Sequence, residues 1–320
     1  MDRYRYLPRE LQKQLDACER DLCAVVDALN ESQFATHPSA ILYQYTDEAG
    51  LRGILKSGTV WVTDVLEQTD PSEVYHGVQI GARALSAAAA TEFHPATELF
   101  ARQVAENQRD LVRRSARYYI ACFTGAEDDL DQWRAYGARG EGFALGFDGP
   151  ALEKAFQHSA ERNNCTIAIN YEQSPLEEAA ARLASIVLPL VVRGYAHGLK
   201  EPLRKEWYVT LQSDYSSALL RIAILFKNRS YRHESEYRLM HVREANAPRT
   251  GELSRPRGAS AAWYIEFDWK TAGPELLKEV WTGPVLDEED SEKLVSKLLT
   301  EAGIDPRGVN IHHSKVPLRR

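Results

Sequence analysis

ILYQYTDEAGLRGILKSGTVWVTDVLEQTDPSE, residues 41–73, is the stretch whose reading decides the fold. Residues 41–45 and 59–63 are short β-rich runs. Between them, residues 48–56 have helical spacing, and Ser57-Gly58 stops that helix. The first strand closes on Tyr43, Gln44, Tyr45 and Thr46, where a core would prefer aliphatic side chains. In alternation, Tyr43 and Tyr45 share one face while Gln44 and Thr46 share the other. Two readings are open. Either the tyrosines pack and the polar pair faces water, or this strand end presents hydroxyls and an amide to a ligand. The turn TDPSE is open in the same way. Asp70 before Pro71 is a ready helix N-cap with Glu73 in the first turn, or the two carboxylates orient a ligand hydroxyl or a neighbouring base.

Outward from this stretch, apolar residues at helical spacing predict a lead helix over residues 10–29. From Pro71 the chain is Ala-rich, which predicts two helices broken near His94-Pro95 and ending near Arg117. Strands are expected at 118–123, 142–147, 166–171, 236–242, 262–267, 279–282 and 309–312, and helices at 152–158, 176–199, 213–226 and 288–302. Residues 246–260, NAPRTGELSRPRGAS, have the Gly, Pro and Ser content of a loop and carry Arg249, Arg255 and Arg257. Strands run through the whole length. The expected architecture is therefore α+β, a mixed or antiparallel split sheet with surrounding helices. Residues 1–40 form a helical lead, and 41–320 form one domain with helical insertions.

Lys and Arg number 39 against 46 Asp and Glu, a formal charge of −7. That balance argues against a chain-wide nucleic-acid footprint and leaves room for local basic patches. Cys18, Cys23, Cys122 and Cys165 form no CxxC or Cys/His cluster, so no metal is expected. No apolar leader opens the sequence, and the strongest apolar run, IVLPLVV at 186–192, is too short by itself to span a bilayer. A soluble, cytoplasmic protein without membrane contact is expected. The GxGxxG, P-loop and HExxH patterns are absent.

Two further blocks carry candidate chemistry. In DQWRAYGARGEG, Trp133 and Tyr136 stand three apart on one face of a helical turn beside glycines that let backbone approach a ligand. They suit stacking on a planar ring, or ordinary core packing. In KNRSYRHESEYRLM, Glu234 and Glu236 point the same way if both lie on a strand, and Arg238 continues that face. Like charges so placed repel, so pairing with Arg238 or Lys227 is expected if they are partly buried. A solvated salt-bridge ladder is the other reading.

The ordered set LYQYT, TDPSE, ACFTGAEDDLDQWRAYGARGEGFALGF, KNRSYRHESEYR and the closing VWTGPVLDEED to HHSKVPLRR resembles a bacterial family of uncharacterised proteins, known as a domain of unknown function. That resemblance covers residues 41–320. More distantly, LYQYTDEAGLRGILKSGTVWVT is similar to the opening of ADP-ribosyltransferase-like toxins. In those, a strand ending in His or Arg precedes a short helix and a Gly-containing turn, and a late strand carries an ExE pair. Glu234-Ser235-Glu236 has that form, and Gln44 stands where His is usual. The resemblance implies an ADP-ribosyltransferase-like fold and an NAD-using transferase, a toxin or phage-defence effector. It implies catalytic Glu236, Glu234 and Gln44, with Tyr43, Tyr45, Thr46, Trp133, Tyr136 and Arg238 holding NAD. NAD, a protein or nucleic-acid target, and an antitoxin or defence-system partner follow from the same likeness. The chemistry suits these residue types. Nicotinamide leaves as a neutral ring, positive charge grows on the ribose, and a carboxylate stabilises it without a metal. Two other functions are carried forward. One is a module that binds a nucleotide or protein without catalysis. The other is a metal-dependent nuclease using Asp70, Glu73, Glu234 and Glu236, with the arginine-bearing loop on phosphates.

Overall fold

The computed structural model describes residues 7–34, 37–67, 72–159, 163–196, 198–257 and 260–318. Ten strands form one sheet: β1 (Ile41–Thr46), β2 (Thr59–Asp64), β3 (Ala116–Thr124), β4 (Phe143–Asp148), β5 (Asn164–Ala168), β6 (Glu236–Glu244), β7 (Leu253–Arg257), β8 (Ser260–Asp268), β9 (Leu277–Thr282) and β10 (Asn310–His313). The helices begin with α1 (Arg9–Phe34), α2 (Glu48–Ser57), α3 (Ser72–Thr91), α4 (Pro95–Glu106), α5 (Gln108–Ser115) and α6 (Leu130–Ala135). They continue with α7 (Gly149–Gln157), α8 (Ser174–Ala196), α9 (Leu203–Ala223), α10 (Trp269–Ala272) and α11 (Glu288–Glu301). The chain is an α+β protein with a mixed, mostly antiparallel sheet, in which β9 and β10 are the parallel pair.

The sheet forks at β3. β6 pairs with β3 along residues 116–124. The other edge of β3 is shared, with β1 meeting Thr124 and β2 meeting Tyr119 and Ile120. One arm continues through β4, β9 and β10, the other through β8 and β7. One apolar cluster packs α1, α3, α4, α8 and α9 against Tyr118 and Ile120. The opposite face of the sheet buries Leu42, Phe123, Leu145, Phe147 and Tyr237 under α2, α7 and α11. A small third cluster, on the same face as the first, holds Tyr43, Tyr45, Trp133 and Ala144.

The local rules act where expected. Asp47 caps α2 through the Gly50 N–H, and Gly58 closes it at φ 70°, a conformation that favours glycine. The break at His94-Pro95 is the N-cap of α4, and a second break at Asn107 separates α5. Two expectations need correction. α9 begins ten residues before residue 213, because Trp207 and Leu211 are buried in the helical layer and tertiary packing outweighs a polar local sequence. The expected loop 246–260 contains β7, whose backbone is satisfied by pairing with β8; Pro256 is tolerated on that edge strand. The run 186–192 lies inside the 23-residue α8, which is long and apolar enough by composition to cross a membrane. Leu183, Ala184, Val187 and Val191 of that helix are fully buried in the helical core. The predicted cap Asp70 lies outside the described residues.

Phe147 tests the sheet core. It is fully buried and meets Phe123 and Trp269 edge-on, with ring centroids 6.0 and 5.3 Å apart. Phe147→Ala is expected to lower unfolding stability by about 3–5 kcal/mol, read from the urea midpoint at unchanged slope.

Candidate functional site

The strongest concentration of buried charge lies where α9 hands the chain to β6. Phe226 and Asn170 form an isolated bridge, and the Lys227 N–H donates to the Asn170 carbonyl at 3.1 Å, which fixes the lysine at the sheet. A 3₁₀ turn over Arg229–Glu234 follows, and Ser235 adopts the left-handed region at φ 43°, ψ 48°. That reversal separates Glu234, which ends the turn, from Glu236, which opens β6. Both carboxylates nevertheless converge on the Lys227 ammonium, Glu236 at 3.1 Å and Glu234 closer still. Arg238 donates Nε to Glu236 and Nη1 to the Ile224 carbonyl at 2.9 Å. The four side chains are between 3% and 10% exposed. The solvated ladder is therefore excluded, and the expected pairing with Lys227 and Arg238 holds for both cations.

Burial pushes the Glu236 carboxyl up, but the Arg238 and Lys227 charges and the Arg238 hydrogen bond outweigh it and hold the group down at about 2. The Tyr136 hydroxyl reaches Glu234 at 3.4 Å from the solvent side, and the ring is 47% exposed. Thr124 donates its hydroxyl to the Glu234 carbonyl, and the Glu236 N–H donates to the Tyr171 hydroxyl at 2.9 Å.

Strand register decides which other candidates belong here. Glu236 pairs with Thr124, Thr124 with Tyr43, Tyr43 with Gly146, and Gly146 with Glu279. Directly paired residues point to one face, so Glu236, Thr124, Tyr43 and Glu279 lie in a row across five strands. Tyr43 does not turn toward Glu236. Its hydroxyl donates to Glu279 at 2.7 Å, an oxygen that also accepts from Trp281 Nε1 at 2.9 Å. Gly146 makes the room, since a Cβ there would stand 2.7 Å from Glu279 Cγ and 3.0 Å from Tyr43 Cε1. Gln44, one residue on from Tyr43, leaves the sheet on the other face, beside Leu42 and Leu145. Its Oε1 is buried and has no hydrogen-bond partner among the described residues. Glu236 and Gln44 are thus not brought together.

The remaining candidates are structural in their contacts. The Tyr45 hydroxyl donates to the Ala126 carbonyl and accepts from the Asp129 N–H, both at 3.1 Å, pinning the loop before α6. Trp133 is fully buried, edge-on to Tyr45 at 4.8 Å, and its Nε1 donates to Asp128 at 2.8 Å. It has no face left for a ligand, whereas Tyr136, which caps α6, does. Thr46 sits over the first turn of α2, where a Cβ on Gly50 would collide with its Oγ1. Glu73 stands in the first turn of α3.

A notch of about 180 Å³ opens where β1 and β6 flank the end of β3. His37, Ser39, Tyr171 and Ser235 bring polar groups, and Leu42, Ile169 and Tyr237 bring apolar surface, with Glu236 behind them. Ligand pockets for whole small molecules run to about 300–1,000 Å³. The notch therefore has room for one ring or one sugar, with the rest of a ligand outside. Ser39, Thr124 and Tyr171 were not singled out from sequence. Ser39 and Thr124 lie more than 100 residues from Glu236, and only Tyr171, an aromatic hydroxyl just past a strand, carried any local signal. Glu279, Trp281 and His312 were missed too; His312 stacks on Trp281 at 4.6 Å, and the E-x-W spacing that puts two of them on one strand face was the available sign.

Two measurements follow. Lys227→Met should cost about 3–5 kcal/mol of unfolding stability, because it leaves Glu234 buried beside no cation. Adding Glu234→Leu should recover most of that loss, since Glu236 keeps Arg238. For pH, a carboxyl lowered on folding adds stability that is fully present above its ordinary 4.5 and is lost as pH falls toward 2. Denaturation midpoints of the wild type should fall across that window, and Glu236→Gln should flatten this part of the acid limb.

No curated protein and no solved structure matches the chain. Residues 132–239, from the middle of α6 through the first strand positions of β6, match the model of the family described as a protein of unknown function (DUF2971), and the matched segment carries Trp133, Tyr136, Lys227, Glu234, Glu236 and Arg238.

Proposed function

We propose that the chain is a cytoplasmic ligand-binding module that takes the ring-and-ribose end of NAD or a related nucleotide into the notch at the end of β3 and does not cleave it. The observation that carries this reading is the placement of Gln44 and Glu236 on opposite faces of the sheet. A ribose cannot be gripped by both. Each carboxylate of the Glu-Ser-Glu turn is already neutralised by a buried cation, so neither is left to stabilise positive charge growing on a sugar. The notch supports binding, with Ser39, Ser235 and Tyr171 suited to ribose hydroxyls and Leu42 and Ile169 to a flat ring. The phosphates would lie outside it.

A second reading keeps the ADP-ribosyltransferase-like fold and NAD-dependent transfer to a macromolecular target, as in a toxin or a phage-defence effector. It is favoured by one observation, the pairing of Glu236 with both Lys227 and Arg238 at the wall of the notch, which holds its carboxyl below the usual range. In that reading a conformational change would release Glu234 or Glu236 from Lys227 to face the ribose. The converging pair does not favour the nuclease, because an ammonium already occupies the place a divalent cation would take.

Calorimetry with NAD, AMP and nicotinamide, followed by chromatography of NAD after long incubation, separates the two. Binding with NAD intact, weakened at least about tenfold by Ser39→Trp filling the notch (a loss of about 1.4 kcal/mol), is the expected result. Nicotinamide release or label transfer to lysate components that Glu236→Gln or Glu234→Gln abolishes would move the assignment to the second reading. Absence of binding by all three ligands to folded protein would remove both.

A further inference from the structure

Outside the residues that line the notch, the β2–β8–β7 arm carries an aromatic and cationic surface that the reading above does not use. Register places Trp61, Tyr264, Leu253 and Arg255 on one face of this arm. Trp61 and Tyr264 belong to none of the three apolar clusters. Their rings lie 4.4 Å apart with planes inclined by 30°, and Trp61 is 41% exposed. Arg255 reaches across β8, and its guanidinium lies 5.1 Å from the Trp61 ring centroid. The other face of the same edge repeats the arrangement, with Arg249 over Trp263 at 4.2 Å. Arg249 shares the buried Glu252 with Arg117 and Arg243, so three guanidiniums lean on one carboxylate at the root of β7.

The geometry points to a binding surface for single-stranded nucleic acid on this arm, with bases stacked at Trp61 and Tyr264 and the backbone phosphates on Arg255. An exposed tryptophan backed by a partly buried tyrosine, with an arginine within reach, is the kind of platform single strands use, because every base offers a π-face and every linkage a negative charge. Charge complementarity favours this occupant over a protein strand added to β7. Pro256 takes a donor from that edge, and an exposed arginine stands beside it; both discourage strand addition. The carboxylate that counts against a phosphate on this face is Glu266, paired with Trp61, while Glu252 and Asp64 lie by Arg249 on the other face. Glu266 therefore supplies a variant that should gain affinity.

The test is fluorescence anisotropy of the full chain with labelled oligothymidylate and oligouridylate of roughly 15 nucleotides, and with a duplex of equal length, at about 50 and about 200 mM salt. Expected are binding of single strands in preference to duplex, about tenfold weaker binding for Trp61→Ala, and a salt dependence lowered by about 0.7 in logarithmic slope for Arg255→Ala. Glu266→Gln should tighten binding; as a change at an exposed position it keeps the test valid where Trp61→Ala fails to fold. Preference for the ribose or the deoxyribose strand identifies which single strand is the ligand. Equal binding of duplex, no single-strand binding at the lower salt, or binding unchanged in both Arg255→Ala and Glu266→Gln would overturn the assignment.

Discussion

The rest of the site depends on one buried ammonium. Lys227 leaves the helical layer just after α9 and ends inside protein between Glu234 and Glu236, pairing with both carboxylates. Desolvating four charges is costly, and the cost is offset only when every ion meets its partner in good geometry. Arg238 adds the second cation and ties the same point to the Ile224 carbonyl at the end of α9. The cluster therefore sets more than local charge. It joins the helical layer to the sheet, dictates the left-handed turn at Ser235, and so shapes one wall of the notch.

From that anchor the sheet carries position outward. β3 is paired along one edge by β6 and shared on the other by β1 and β2, so a single strand aligns both arms. Glu236 and Glu279 stand at the two ends of one row, each already engaged, the first by cations and the second by Tyr43 and Trp281. The two carboxylates that end this row are thus satisfied by opposite means, charge pairing for Glu236 and hydrogen bonds from Tyr43 and Trp281 for Glu279. Burial and the hydrogen bond to Glu279 accordingly push the Tyr43 hydroxyl well above the ordinary tyrosine range.

Much of the architecture was legible in residue order. β-rich runs marked β1, β2, β3, β4 and β8, the Ser57-Gly58 stop and the His94-Pro95 break were read correctly, and the Glu234, Glu236 and Arg238 block was seen as a set needing cations. What escaped was structure whose cause is remote in sequence. β7 is ordered by its pairing with β8, against a composition rich in Gly, Pro and Ser nearby. The early start of α9 is ordered by burial of Trp207 and Leu211. Trp133 and Tyr136 look alike in sequence as two aromatics on one helical turn. Packing against Tyr45 buries the first, and the end of α6 leaves the second in solvent.

The amino-acid sequence by itself determined parity. Alternation sets Tyr43 against Gln44 on β1, and puts Glu236 and Arg238 on one side of β6, before any contact is known. Which side of the sheet Glu236 shares was decided only by tertiary structure, through Thr124, which pairs with Glu236 on one edge and Tyr43 on the other. The physical reason is the two-residue period of a strand. A slip of one residue in either pairing would move Glu236 to the face of Gln44, and nothing in the local sequence of β1 or β6 records that register.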